Sequence, residues 1–188
     1  MVPIWRLSGR LGNQMFQVAY LFSQQKKGLI PDIYVQDEKF FEDVKDEIRA
    51  LYSGGITNID QVSIHVRRGD YVGNPFYVDI VNNGYYEKAM LEFPDADFLV
   101  FSDDIEWCKK QPMFEGCEFS EGLSEIEDLN LMASCKGHII ANSSYSWWAA
   151  YISGNKTVAP KEWYTLSAPN DGEELIPSTN CPDSWIRI

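Results

Sequence analysis

The stretch His65-Val66-Arg67-Arg68-Gly69-Asp70 closes the apolar run Val62 to Val66 and gathers an imidazole, two guanidiniums and a carboxylate at one strand end. Those residue types suit anion binding. Side chains alternate faces along a strand, so His65 and Arg67 share one face while Val66 and Arg68 share the other. A guanidinium stays charged and its planar fork matches phosphate oxygens, which assigns Arg67 as a diphosphate clamp. Arg68 is expected to turn inward and pair with Asp70. Two arginines alone favour a surface ion-pair cluster; the added histidine, glycine and aspartate favour a site.

Other stretches carry compatible chemistry. In Asn142-Ser143-Ser144-Tyr145-Ser146-Trp147-Trp148, hydroxyls crowd the first turn of a helix, where unpaired N–H groups and the helix dipole already favour an anion. Pattern alone leaves Ser143, Ser144 and Ser146 open between anion ligands and a simple cap; Trp147 and Trp148 read as core. Phe101-Ser102-Asp103-Asp104 ends another strand, and one carboxylate there can accept the paired N–H donors on a guanine edge, a role given to Asp103. Helix capping is the competing role, which Asp104 can also fill. Gly9-Arg10-Leu11-Gly12-Asn13-Gln14 lacks the dinucleotide-binding glycine spacing and reads as a tight turn or a close backbone approach, with Asn13 able to cap the next helix.

These residues need elements to position them. Pro3 to Leu7 reads as a strand, the glycine loop follows, and an apolar-rich helix runs from about Asn13 to Lys27. Asp32 to Val35 is a second strand candidate, and Glu38 to Leu51 a helix with Phe41, Val44, Ile48 and Leu51 on one stripe. After the strand Val62 to Val66 comes a long Gly-, Asn- and Pro-rich loop, Arg67 to Asn83, and a helix near Tyr85. Strand Asp97 to Phe101, a helix to about Lys110, an extended piece at Cys117 to Phe119, a capping box at Ser124 and Glu127, strand His138 to Ala141, the tryptophan helix and strand Thr157 to Ala159 complete the order. Alternating strands and helices predict a parallel sheet covered on both faces, with ligands at the carboxyl ends of its strands.

Composition narrows the classes. The 188 residues hold 16 basic and 28 acidic side chains, a net charge of −12 that disfavours nucleic acid. The 45% hydrophobic and 14% aromatic content predicts a folded core. The four cysteines lack C-x-x-C spacing and only two histidines could join them, so no metal site is expected. No stretch reads as a signal peptide or an integral membrane segment, which makes the cytoplasm the expected location.

Leu11-Gly12-Asn13-Gln14-Met15-Phe16-Gln17, His65-Val66-Arg67-Arg68-Gly69-Asp70-Tyr71, Phe101-Ser102-Asp103-Asp104 and Asn142 to Trp148, in that order, resemble the motifs of the α-1,2-fucosyltransferase family, glycosyltransferase family 11. The resemblance is dense from about Gln61 to Trp163. It implies a GT-B-like α/β architecture, GDP-fucose as donor substrate, a glycan hydroxyl as acceptor, inversion at the anomeric carbon, and no required cofactor or metal. Carried over residue by residue, it places Arg67 on the diphosphate and adds Arg68 and Asp70 to the donor site. His65 and Asp103 fall by the guanine, Asn142, Ser143, Ser144 and Ser146 by the phosphates and ribose, and Gly12 and Asn13 across an interdomain cleft. The interval between Asn13 and His65 is shorter than the family pattern. That implies a reduced N-terminal α/β subdomain on the acceptor side, residues 1–58, and a Rossmann-type parallel-sheet donor domain, residues 59–188.

Three functions fit these residues: fucosyl transfer, GDP-sugar binding without transfer because the acceptor side is reduced, and a subunit completed by another chain. An oligomer is compatible with each. The resemblance makes Arg67 the catalytic charge; the base for the acceptor hydroxyl is unassigned, with Asp70 a candidate whose expected part is instead to hold Arg68.

Overall fold

The computed structural model describes residues 10–26, 38, 41–165 and 181–188. The strand candidates Pro3 to Leu7 and Asp32 to Val35 lie outside the described residues. Within these, β1 (Ile59–Val66), β2 (Phe98–Ser102), β3 (Glu118–Phe119), β4 (Cys135–Ile139), β5 (Lys156–Ala159) and β6 (Ile186–Arg187) form one parallel sheet in the order β3-β2-β1-β4-β5-β6. The result is a Rossmann-like α/β fold.

Strand alternation divides the core in two. Val62, Ile64 and Val66 of β1 pack with Val100, Ile139 and Val158 against Tyr85, Tyr86 and Ala89 of α3 (Tyr85–Met90) and Cys108 of α4 (Ile105–Cys108). The opposite layer is aromatic. It joins α1 (Leu11–Lys26), α2 (Lys45–Tyr52), α5 (Glu125–Ala133) and α6 (Ser144–Ser153) through Phe16, Phe41, Ile48, Met132, Trp147, Trp148 and Tyr151. Phe16 lies 4.5 Å from the Trp147 ring and 4.8 Å from that of Trp148, and Phe41 stacks on Trp148 at 5.7 Å. Two buried tryptophans thus fasten α1 and the segment before α2 to the helix that follows β4, as the core reading of Trp147 and Trp148 expects.

Several boundaries differ from the sequence expectation for local reasons. Helix α1 starts at Leu11 because the Gln14 N–H already reaches the Arg10 carbonyl at 3.1 Å, so Gly12 and Asn13 lie in its first turn instead of before it. The Glu38 to Leu51 candidate splits into a single turn at Glu42–Val44 and then α2; Phe41, Val44 and Ile48 are buried, but Leu51 is exposed. Strand β4 begins earlier, at Cys135, where Gly137 is required: a Cβ there would stand 2.5 Å from the Phe93 ring. The capping box of α5 is present, with the Ser124 N–H donating to Glu127 Oε2 at 2.8 Å.

The aromatic side of the sheet also buries polar groups. Ser63 sits beside His138 in register, their Oγ and Nδ1 are 2.8 Å apart, and Thr157 continues the row. Burial pushes the His138 imidazole down to about 3, and burial with the neighbouring Arg67 charge does the same at His65. Both rings are therefore neutral in the fold at pH 7, whereas in the unfolded chain they titrate near 6.5.

Between pH 6.5 and 3 the unfolded chain binds protons that the fold refuses, so the stability held above 6.5 is lost as pH falls through that window. Each histidine contributes a slope of about 1.4 kcal/mol per pH unit where only the unfolded chain is protonated. Denaturant midpoints should fall between pH 7 and pH 5, and His138→Gln should remove about one proton from that dependence; a flat profile contradicts the assignment. Trp148→Ala should cost about 3–5 kcal/mol in equilibrium unfolding, since it empties the joint between α1 and α6.

Candidate active site

The strand order reverses at β1: the chain steps outward through β2 and β3, then returns to the other side of β1 as β4. In open parallel sheets the crevice outside the carboxyl ends of the strands at such a reversal is the usual ligand site. His65 and Arg67 leave β1 at that point, Asn142 to Ser146 leave β4, and Asp103 leaves β2. All three strand ends adjoin.

Arg67 is held from two sides. Its Nη1 lies 2.8 Å from Asp103 Oδ2, its Nη2 donates to Asp70 Oδ1, and its guanidinium stands 5.5 Å over the Tyr71 ring. Asp103 is itself fixed, because Oδ1 accepts the Arg68 N–H at 2.9 Å. The carboxylate expected to meet a guanine edge thus has one oxygen on each arginine residue. Gly69 permits this, since a Cβ there would lie 2.5 Å from Asp103 Oδ2.

Arg68 departs from expectation. It pairs with Asp104, Nε to Oδ2 at 3.0 Å, and its guanidinium carbon lies 3.6 Å over the centre of the Trp107 ring; it does not hold Asp70. The cause is local geometry. The single helical turn Gly69–Tyr71 folds residue 70 back over residue 67, while Arg68, on the other face, is drawn to the start of α4, where Asp104 accepts the Trp107 N–H. Asp70 instead joins Arg67 to Arg10, which approaches Asp70 Oδ1 at 3.8 Å from the start of α1. Burial is the largest single influence and raises the Asp70 carboxyl, but the hydrogen bond and charge of Arg67, with a backbone hydrogen bond and the charge of Arg10, together outweigh it and hold the group below the usual carboxylate range.

The tip of α6 is tied into the same cluster. Ser143 caps the helix, its Oγ accepting the Tyr145 N–H at 3.4 Å. Ser144 donates to Asn13 Oδ1 at 2.5 Å, and a Cβ on Gly12 would stand 2.6 Å from the Ser144 backbone, so the first turn of α1 lies directly on the tip of α6. The expectation that Gly12 and Asn13 face the serines across a cleft is corrected by this contact. Ser146 is fully buried, with Oγ 2.8 Å from His65 Nδ1. Asn142 is buried too: its amide donates to the carbonyls of Val78 and Trp163 at 3.1 and 3.0 Å, and its carbonyl accepts the Tyr71 hydroxyl at 3.0 Å. Asn142 and Ser146 are thus held by buried hydrogen bonds, while Ser143 caps α6 and Ser144 is bonded to Asn13.

His65 has a defined part in this. Its ring meets Ser146 and lies 5.6 Å from Tyr145, and its carbonyl accepts the Tyr86 hydroxyl at 3.0 Å. With its pKa pushed down to about 3, it is a spacer and hydrogen-bond partner and too weak a base to take a proton at neutral pH.

Tyr71, Trp107 and Arg10 were not singled out from sequence. Tyr71 directly follows the Arg67 motif, and Arg10 sits inside the glycine loop, so position alone was the available signal; Trp107 carried none beyond its helical spacing from Asp104. Among the described residues no three His, Cys, Asp or Glu side chains are grouped to hold a metal ion, and no helix is long and apolar enough to cross a membrane.

Comparison with known proteins agrees with this geometry. The chain is 35% identical over 185 residues to an alpha-1,2-colitosyltransferase of Escherichia coli, covering 81% of this chain and 60% of that protein. It is 30% identical to the O-antigen biosynthesis glycosyltransferase WbnK of Escherichia coli, covering 92% of the chain and 59% of the relative, and 30% identical to galactoside alpha-(1,2)-fucosyltransferase 2 of Rattus norvegicus, covering 85% and 49%. The chain thus spans about half to three fifths of the length of these relatives. The family model for glycosyl transferase family 11 matches residues 26–174, a span that contains the β1, β2 and β4 strand ends described above, and the chain belongs to that family.

Proposed function

We propose that this chain binds GDP-fucose and transfers the sugar, with inversion, to a hydroxyl of a galactoside or related glycan in an α-1,2 linkage. The observation that carries the reading is that Arg67, just past β1, and the start of α6, just past β4, follow adjacent parallel strands at the strand reversal, in a chain whose relatives include alpha-1,2-fucosyl- and colitosyltransferases. A diphosphate seated there meets a fixed guanidinium and the positive end of a helix.

The chemistry follows from where charge appears. As the bond from the sugar C1 to the β-phosphate oxygen breaks, its electron pair stays on GDP, and negative charge grows on that phosphate. Arg67 and the first-turn N–H groups of α6 stabilise that charge more as it develops than before, which is the condition for lowering the barrier. Asp103, anchored by the Arg68 N–H, keeps the guanidinium from turning away. Arg68 contributes through that anchor and through its stack on Trp107.

A second reading, donor binding without transfer, is favoured by the short chain between α1 and β1, which leaves few residues for an acceptor side. Turnover separates the two. Incubated with GDP-fucose and a panel of galactosides, the protein should release GDP, and Arg67→Ala should lower kcat/KM by about 10²–10³-fold, the usual loss for one donor to developing charge. Arg67→Lys should recover little, because an ammonium lacks the planar fork. GDP at 100 times its Kd should stabilise the fold by about 2.7 kcal/mol, and UDP and ADP should do less. Binding without release supports the second reading; equal stabilisation by all three nucleotides contradicts the GDP assignment.

A further inference from the structure

We infer that Asp70 is the general base that takes the proton of the acceptor hydroxyl, and that the arriving donor frees it for that work; the inference rests on the function proposed above. The argument starts at Arg67, whose guanidinium holds one carboxylate on each side. A diphosphate needs those same nitrogens. When a phosphate oxygen takes one of them, the carboxylate on that nitrogen gives way, since two anions on one guanidinium nitrogen repel each other.

The two are not equally free to move. Asp103 has both oxygens engaged, one on Arg67 and one on the Arg68 N–H, and its side chain is 26% exposed. Asp70 meets Arg67 and Arg10 through Oδ1 alone, is 55% exposed, and stands on the single helical turn Gly69–Tyr71 that follows β1. Asp70 is therefore the one displaced. Turned away from Arg67, its carboxylate is the most exposed of those that pair with the two arginines and is open to an acceptor hydroxyl. Loss of the guanidinium contact also removes what holds it below the usual carboxylate range, so it becomes a stronger base once the donor is seated.

The remaining described groups at the site fit the role less well. His65 is buried and holds Ser146, and Asp104 is occupied by Arg68 and the start of α4. In the step itself, the acceptor O–H proton passes to an Asp70 oxygen as the acceptor oxygen bonds to the sugar C1. The bond from C1 to the β-phosphate oxygen breaks, and its electron pair leaves with GDP, paired to Arg67. Atoms and charge balance with no further reactant.

The test uses Asp70→Asn, an isosteric change that keeps a hydrogen-bond acceptor for Arg67 but cannot take a proton. GDP affinity should stay within about threefold of wild type. Galactoside transfer should fall by about 10²–10⁴-fold, the usual contribution of a general base. Sodium azide, a nucleophile with no proton to lose, should restore GDP release and yield the glycosyl azide. Asp70→Glu should retain part of the transfer. Loss of GDP affinity in step with activity, or failure of azide to restore release, would show that Asp70 only holds Arg67 and would overturn the inference. If the wild-type protein neither binds GDP nor transfers, the proposed function itself fails, an outcome distinct from both.

Discussion

One guanidinium, that of Arg67, must stay charged, aimed and accessible at the carboxyl end of β1, and much of the surrounding structure serves that requirement. A long cationic side chain at a crevice mouth has many rotamers, and fixing it costs about 2 kcal/mol of entropy. Asp103 and Asp70 supply the restraint through ion pairs, and the Tyr71 ring limits the remaining direction. Asp103 can do so because the next residue, Arg68, donates its own N–H back to it and anchors the far side on Asp104 and Trp107. Adjacent arginines on opposite strand faces thus divide the work: one faces the crevice, the other braces the loop.

The second half of the site depends on packing. The tip of α6 can present N–H groups only if the helix is held at a fixed height above the sheet. Trp147 and Trp148 set that height by stacking among Phe16, Phe41 and Tyr151. The same stack brings Gly12 against the Ser144 backbone. Buried polar contacts then fix the rotation: His65 to Ser146, and Asn142 to the carbonyls of Val78 and Trp163. Burying an imidazole costs free energy in acid, and the fold accepts this in return for a neutral, rigid partner at the strand end.

The sheet was legible in the sequence because its signals are local. Val62 to Val66, the capping box at Ser124 and the serine cap before Trp147 each depend on neighbours within a turn, and each element stands where expected. The choice of Arg67 over Arg68 for the crevice rests on the two-residue period of a strand; β1 ends at Val66, and beyond it the two side chains go to different carboxylates, Arg67 to Asp103 and Asp70 and Arg68 to Asp104. What the sequence hid depends on distant partners. That Asp70 turns to Arg67, that Asn142 gives its amide to two backbone carbonyls, and that Asn13 touches Ser144 all follow from segments far apart in the chain. The two-residue strand β6 is too short to leave a pattern. Leu51 shows the converse: it keeps the helical stripe but extends beyond the core it was expected to join.

The account turns on whether Arg67 and the α6 tip share one ligand, and a crystal structure of the protein with GDP measures that directly. The β-phosphate oxygens should lie within hydrogen-bond distance of both the Arg67 guanidinium and a first-turn N–H of α6, with the Asp70 carboxylate swung off Arg67. A diphosphate bound elsewhere, or one that leaves Arg67 paired to both aspartates, contradicts it.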